Sequence, residues 1–354
     1  MMRAAVVIAE PGGKHLEVRQ VPKPQPGPGQ VLVQVAFAGV CGSDTHGFLD
    51  TEGTSRADGL IMSHEISGTI AEHGPGVSDP PVGTRVTVDP QVVCGQCPAC
   101  RKGWISICDH KQVLGSSLRG FVQGGMAEYV VTHQATVHPV PPSVTDEQAA
   151  LIEPLANALH TVRRAEVQPG DNVVVLGAGP LGLCMVQCLR NTAARVIAVT
   201  DPSETRRNLA LLCGADIAWD PRTTDVEASV LELTSGRGAD VVIESVGIEA
   251  TYRQAITVVR KRGRVMFFGA VQPEVSLPLL PILHKELSLI GCTGANDETG
   301  PAIELVAAGK VDLSAMTGTV AGLNDAESAI RAQLEPGYSS VKLLIDPRRQ
   351  HMAS

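Results

Sequence analysis

The chain has 354 residues, enough for two domains of ordinary size, and its 44% apolar and 19% charged residues describe a globular protein with no disorder signature. A net charge of −8 leaves no basic stripe for nucleic acid or an anionic membrane, and no apolar run reaches the length of a membrane span. Aromatics make up only 3%, so Val, Ile, Leu and Ala must fill the interior.

The N-terminus (MMRAAVVIAE) enters a strand-like run without a signal-peptide pattern. Short β-rich runs follow at 31–38, 66–72, 85–89 and 127–132, each bounded by Gly or Pro, with a turn-dense VPKPQPGPGQ segment before the first of them. A mostly β domain is therefore expected over about the first 150 residues. Near Asp146 the pattern changes: acidic residues open a helical stretch that runs to about Glu166. Apolar strands at 172–177, 195–200, 239–245 and 263–269 then alternate with helices at 181–192, 203–213, 226–235 and 249–260, ending in a strand at 287–291. Unbroken apolar strands separated by helices indicate a parallel sheet covered on both faces. The last sixty residues are too few for a further domain and are expected to return to the first one. The tail, 348–354, is polar and without periodicity.

Nine cysteines is an odd number, and without a secretory signal a reducing cytoplasm is expected rather than a disulfide framework. Four of them, Cys94, Cys97, Cys100 and Cys108, are spaced C-x2-C-x2-C-x7-C. Short spacers let successive thiolates converge on one ion, as in a closed structural zinc site, and Gly95, Pro98 and Gly103 suit the sharp turns required. Cys184 and Cys188 are four apart in a helical stretch and read as buried small hydrophobes.

A second metal set is sparser. Cys41 follows a strand, His64-Glu65 precedes another, and Glu153 opens the helical region. Singly each is weak, since a lone Cys or His is more often core packing. Together they supply the borderline-soft donors of a catalytic zinc with a position left for substrate.

Gly177-Ala-Gly179-Pro180-Leu181-Gly182 follows an apolar strand and opens a helix, the context that makes G-x-G-x-x-G a dinucleotide fingerprint. Gly177 permits the tight turn, Gly179 the approach of a pyrophosphate to backbone N–H groups, and Gly182 close helix–strand packing. The next strand ends at Asp201, where a carboxylate would accept both adenosine ribose hydroxyls and repel a 2′-phosphate. NAD is expected in preference to NADP, although Arg206 and Arg207 stand nearby.

These stretches are also where the chain resembles a known family, the zinc-containing medium-chain dehydrogenases, nearest the sorbitol (polyol) and threonine dehydrogenase branch. The motifs are A-G-V-C-G-S-D-x-H at 38–46, H-E-x-x-G at 64–68, G-x-R-V at 83–86, the four-cysteine lobe, G-G-x-A-E-Y at 124–129, E-P-L-A at 153–156 and G-A-G-P-L-G at 177–182. The resemblance implies an α/β protein with two parts. One is a GroES-like, mostly β catalytic domain formed by 1–155 and 296–354. The other is a Rossmann coenzyme domain with a doubly wound parallel sheet over 156–295.

It also implies two zincs per chain. Cys41 and His64 would hold the catalytic one with Glu65 as third ligand, and Glu153 would be a further ligand or hold a water. Ser43 would contact the substrate hydroxyl and His46 would pass its proton towards solvent, after which the alkoxide gives hydride to the nicotinamide. Leu181, Asp201 and Arg206 would contact the cofactor, with Phe268, Gly269, Ala270, Cys292, Thr293 and Gly294 along its nicotinamide half. Asp44 is expected to orient the Cys41 loop.

The implied activity is NAD-linked oxidation of a secondary alcohol (polyol, cyclitol, amino alcohol or diol) to a ketone by a cytoplasmic homo-oligomer, a tetramer or dimer. Its partner would be a small-molecule alcohol or ketone, with no nucleic acid and no membrane. Ser63 replaces the family's usual glycine before His-Glu, and Thr84 the usual aspartate of G-D-R-V. Gly47 and Gly294-Ala295 stand where sorbitol-type relatives carry an aromatic and an Arg–aromatic pair, so a roomier pocket than sorbitol's is expected. The competing readings are a zinc-ribbon binding protein, a non-catalytic crystallin-like member of the superfamily, and a zinc-free quinone or enoyl reductase.

Overall fold

The computed structural model describes residues 1–50, 56–335, 338 and 340–349. Of the polar tail only Arg348 and Arg349 are described; the remainder lies outside the described residues. The chain divides into two units. One comprises Met1–Glu153, Thr299–Ala308 and Met316–Ser354, and the other Pro154–Glu298 and Gly309–Ala315.

The first unit is built on a mixed seven-stranded sheet. Its order is Thr317–Gly322, Lys342–Asp346, Gln30–Gly39, Glu65–His73, Arg85–Val88 and Val137–Pro139, with Tyr129–His133 also pairing the central Gln30–Gly39. The two late strands run parallel to each other, and Leu344–Ile345 meet Ala38–Gly39 in antiparallel register. Residues late in the chain therefore lie beside the strand that leads into Cys41. The core is aliphatic, as the shortage of aromatics requires. Val31, Val33, Val35, Ile66, Val86 and Leu343 are fully buried in one cluster that also takes in Phe48. A separate hairpin, Met2–Glu10 with Gly13–Val21, packs on this core through Val6 and Val18.

The second unit holds a six-stranded parallel sheet. In sheet order the strands are Ile217–Trp219, Val196–Thr200, Asn172–Leu176, Ala239–Glu244, Val259–Phe267 and Ser288–Gly291. Every residue of Asn172–Leu176 and Ala239–Glu244 is buried, because helices cover both faces. The chain reverses its direction of travel across the sheet between these two strands. Ligands bind in such sheets outside the strands' carboxyl ends at this switch point.

Candidate functional site

Cys94, Cys97, Cys100 and Cys108 bring their sulfurs within 4.8 Å of one another. The short helix Pro98–Arg101 starts from Cys97, whose Sγ accepts the Cys100 N–H at 3.4 Å, and the N–H groups of Cys94 and His110 donate to Cys108 Sγ, each at 3.4 Å. The backbone N–H groups of Cys100 and Asp109 bring the Cys97 thiol down to about 6. Burial and the neighbouring sulfurs push Cys100 up to about 12. Four crowded sulfurs cannot all ionise without a cation. Backbone N–H groups aimed at them, and four sulfurs gathered within 4.8 Å, fit a structural zinc. All nine cysteines are free of disulfides, and Cys184 and Cys188 are buried in the helix Pro180–Arg190.

The second cluster is assembled around the helix Gly42–Phe48. Cys41 is its N-cap, and the Cys41 N–H donates to Asp44 Oδ2 at 3.2 Å, so Asp44 does orient the Cys41 turn. Ser43 and His46, three apart, share one face of this helix. His64 and Glu65 come from the start of the next sheet strand, and one donor atom each of Cys41, His64 and Glu65 lies within 4.8 Å of the others.

Glycine makes this approach possible. A Cβ at Gly39 would stand 2.2 Å from Glu65 Oε2. Ser63 takes φ +75, which accounts for the glycine usual at this place, and its buried hydroxyl compensates by donating to Gly39 O at 2.8 Å. Glu153, in the first turn of Ile152–Ala165, is outside the group of three and acts on His64 through its charge.

The electrostatics ask for a cation. Burial pulls the His64 imidazole down, but Asp44, Cys41 and Glu153 outweigh it and push its pKa up to about 10. A proton on His64 thus answers the negative charge that a metal would answer. One thiolate, one imidazole and one carboxylate form a donor set suited to zinc.

Three buried side chains beside these residues escaped the sequence. Lys342, from the last sheet strand, lies 2.5 Å from Glu65, both fully buried. Nothing in VKLLI marked it. Arg56 is buried against Asp44 and Ser43. It also corrects one expectation: the space over Gly47 is not open, because a Cβ there would meet Arg56 Cγ and Nη1 at 3.1 Å. Glu244, at the end of its strand, accepts from the N–H groups of Val246 and Gly247 (2.9 and 2.7 Å) and from the Thr251 hydroxyl (2.7 Å). A carboxylate closing an apolar strand just before a glycine was the available signal.

In the second unit the fingerprint forms as its spacing requires. Gly177 takes φ +97, a Cβ at Gly182 would stand 2.1 Å from Gly177 O, and Pro180 opens the helix from Gly179 with no side chain over its first N–H groups. Asp201 is buried, accepting from Ala178 N–H with Oδ2 (2.9 Å) and from Ser203 N–H with Oδ1 (2.8 Å). The Ser245 hydroxyl donates to Leu176 O at 2.8 Å, tying the loop after Ala239–Glu244 to the fingerprint turn. Phe268–Ala270 and Cys292–Gly294 follow the two adjacent strands, joined by Cys292 N–H to Phe267 O at 2.8 Å. Residues 177–182, 201, 268–270 and 292–294 therefore lie along the sheet's carboxyl edge. Arg206 is half-buried in the first turn of Glu204–Leu212, next to the Ser203 cap.

Residues 27–142 match the alcohol dehydrogenase GroES-like domain and residues 180–308 the zinc-binding dehydrogenase family. The chain is 34% identical over 349 residues to a sorbitol dehydrogenase of Halalkalibacterium halodurans, covering 97% of this chain and 99% of that protein. To an L-threonine 3-dehydrogenase of Pyrococcus furiosus it is 36% identical over 281 residues, 78% of this chain and 79% of the other. The crystal structure of 2R,3R-butanediol dehydrogenase from Bacillus subtilis has a TM-score of 0.86 and 30% identity, over 98% of this chain and all of that one.

A zinc-ribbon binding protein and a non-catalytic crystallin-like relative are not favoured by these findings. No helix among the described residues is long and apolar enough to cross a membrane. Similarity of this extent, on a chain whose thiolate lobe, zinc-type donors and nucleotide turn all assemble, makes it a member of the zinc-binding alcohol dehydrogenases, polyol- and threonine-dehydrogenase-like branch: NAD(P)-dependent enzymes that oxidise secondary alcohols.

Proposed function

We propose that the chain is a two-zinc, NAD-preferring dehydrogenase of a secondary alcohol flanked by a second polar group, the class that spans polyols, cyclitols, amino alcohols and vicinal diols. The observation that carries this is the convergence of Cys41, His64 and Glu65 at the end of the helix bearing Ser43 and His46. Bound zinc supplies a Lewis acid that makes an alcohol hydroxyl acidic, and bound nicotinamide accepts the hydride. Cys41, His64 and Glu65 hold the metal, and Glu153 tunes them from the first turn of its helix.

Ser43 accepts the proton of the substrate hydroxyl and hands one on. His46, one helical turn along, receives it and returns it to solvent, since an imidazole can take a proton on one ring nitrogen and release one from the other. Asp44 keeps the Cys41 turn and His64 in place. Fingerprint N–H groups at the Gly179 helix start bind the pyrophosphate, and the Asp201 carboxylate disfavours a 2′-phosphate. Residues 268–270 and 292–294 contact the nicotinamide half.

The assembly is a homo-oligomer. Ser288–Gly291 is the last strand of its sheet, and Leu279, Leu280 and Leu283 expose 63, 63 and 58% of their surface just before it. A second copy meeting this edge across a two-fold axis would cover both.

The test is a panel of secondary alcohols assayed by reduced-cofactor formation with NAD and NADP in parallel, alongside metal analysis and light scattering. Two zincs per chain, turnover preferring NAD and a mass above one chain are expected. A single zinc, or Cys41→Ser at full activity, contradicts the assignment.

A further inference from the structure

Arg56 stands in the stretch S-R-A-D-G, where an arginine reads as a solvated surface residue. It is instead 3% exposed. A buried guanidinium needs compensation, yet its contacts among the described residues are few. Nη2 donates to Asp44 Oδ1 at 3.2 Å and reaches Ser43 Oγ at 3.4 Å, while Nε has no partner among the described residues. An ion pair so incompletely satisfied is a poor stabiliser compared with apolar packing of equal volume. Its main chain is docked on the same helix, Arg56 N–H donating to Gly47 O at 2.9 Å, and its stem lies where a residue-47 side chain would be. Glycine at 47 and arginine at 56 thus form one packing unit against the Ser43 face of the helix.

We infer that Arg56 is a positioning residue for Ser43 in alcohol oxidation, an inference that rests on the function proposed above. A hydroxyl has one hydrogen and two acceptor lone pairs. With one lone pair engaged by the guanidinium, Ser43 Oγ keeps one to accept the substrate's proton, and its own hydrogen is directed onward. That is the single arrangement a relay uses, selected from three staggered rotors. The same Nη2 also donates to Asp44, which in turn holds the Cys41 N–H and stands 3.7 Å from His64 Nδ1. Because Asp44 neutralises it, Arg56 is not an anchor for an anionic substrate, and its removal should act on turnover rather than on affinity.

The experiment compares Arg56→Met, Arg56→Lys, Gly47→Ala and the Gly47→Ala/Arg56→Met pair with the wild-type chain. Zinc per chain, NADH affinity by fluorescence, and kcat and KM for a neutral vicinal diol and for a 3-hydroxy acid are measured. Arg56→Met should keep its zinc and NADH affinity while kcat falls on the order of 10- to 100-fold for both substrates with KM little changed. Arg56→Lys should recover part of the rate. Gly47→Ala, which displaces the arginine without removing its charge, should lose kcat alone but add nothing in the Arg56→Met background. Should Arg56→Met fail to fold, Gly47→Ala carries the same expectation.

Unchanged kcat, a loss confined to KM for the hydroxy acid, or a loss that tracks missing zinc would each overturn the inference. Wild-type turnover on the alcohol panel tests the parent reading separately. A wild type without turnover sinks both, whereas an active wild type with an unaffected Arg56→Met sinks this one alone.

Discussion

Lys342 and Glu65 face each other with side chains 2% and 1% exposed, 2.5 Å apart, although 277 residues separate them. Burial lowers the lysine's pKa, and the charges of Glu65 and Cys41 more than restore it. Lysine and metal therefore compete for one carboxylate. Lys342→Met should destabilise the metal-free chain by about 3 kcal/mol, the usual cost of orphaning one member of a buried pair. It should also tighten zinc binding, because the rival cation is gone. Chelator competition on the variant and the wild type gives the answer; equal zinc affinities would show that the lysine does not compete.

The pH dependence follows from His64. Its folded pKa, about 10 without metal, lies above the unfolded value of 6.5. The stability it lends the metal-free chain is therefore complete below about pH 6.5 and is lost as pH rises towards 10. Zinc must displace that proton, so zinc affinity should climb with pH across the same window. Thermal melts of zinc-free and zinc-loaded protein from pH 6.5 to 9.5 should diverge steadily. Parallel curves would mean that His64 carries no proton to displace.

Glu244 makes a prediction about the cofactor. Its Oε1 satisfies two loop N–H groups and the Thr251 hydroxyl, and a Cβ at Gly247 would stand 2.3 Å from Ala270 N. The loops at 245–248 and 268–271 thus pack backbone to backbone around one carboxylate. Glu244→Ala orphans both N–H groups, at about 1–3 kcal/mol each, and should weaken NADH binding at least about tenfold with zinc content intact. Fluorescence titration measures it, and wild-type affinity would remove Glu244 from the cofactor's support.

Asp201 should resist a simple change of cofactor preference. Both of its oxygens accept backbone N–H groups, one from inside the fingerprint. Asp201→Ser, which relieves the repulsion of a 2′-phosphate, also frees the Ala178 N–H. NAD turnover should fall by about tenfold or more without an equal gain for NADP. An increase in NADP kcat/KM matching the NAD loss would show the carboxylate to be a ribose contact and nothing else.

Where chemistry and local structure coincide, the sequence was informative. The cysteine lobe and the fingerprint need only neighbouring residues, so spacing alone exposed them, and the apolar strands of the parallel sheet read clearly because both faces are covered. Shorter or half-exposed elements were silent. Gly13–Val21 is rich in charge because its hairpin is largely open to solvent, and Gly42–Phe48 is too short and polar to show a helical period. Lys342, Arg56 and Gly47 were illegible for a different reason. Their roles exist only after strands distant in sequence have paired, and a lysine in an aliphatic run or a glycine after a histidine carries no sign of what will lie against it.

The strand that delivers Lys342 has a bearing on how the enzyme matures. Cys41, His64 and Glu65 leave the ribosome together, whereas the lysine that pairs with Glu65 follows 277 residues later. A growing chain therefore displays the Glu65 carboxylate before Lys342 can occupy it, a state favourable to metal capture before the strand that carries the lysine docks.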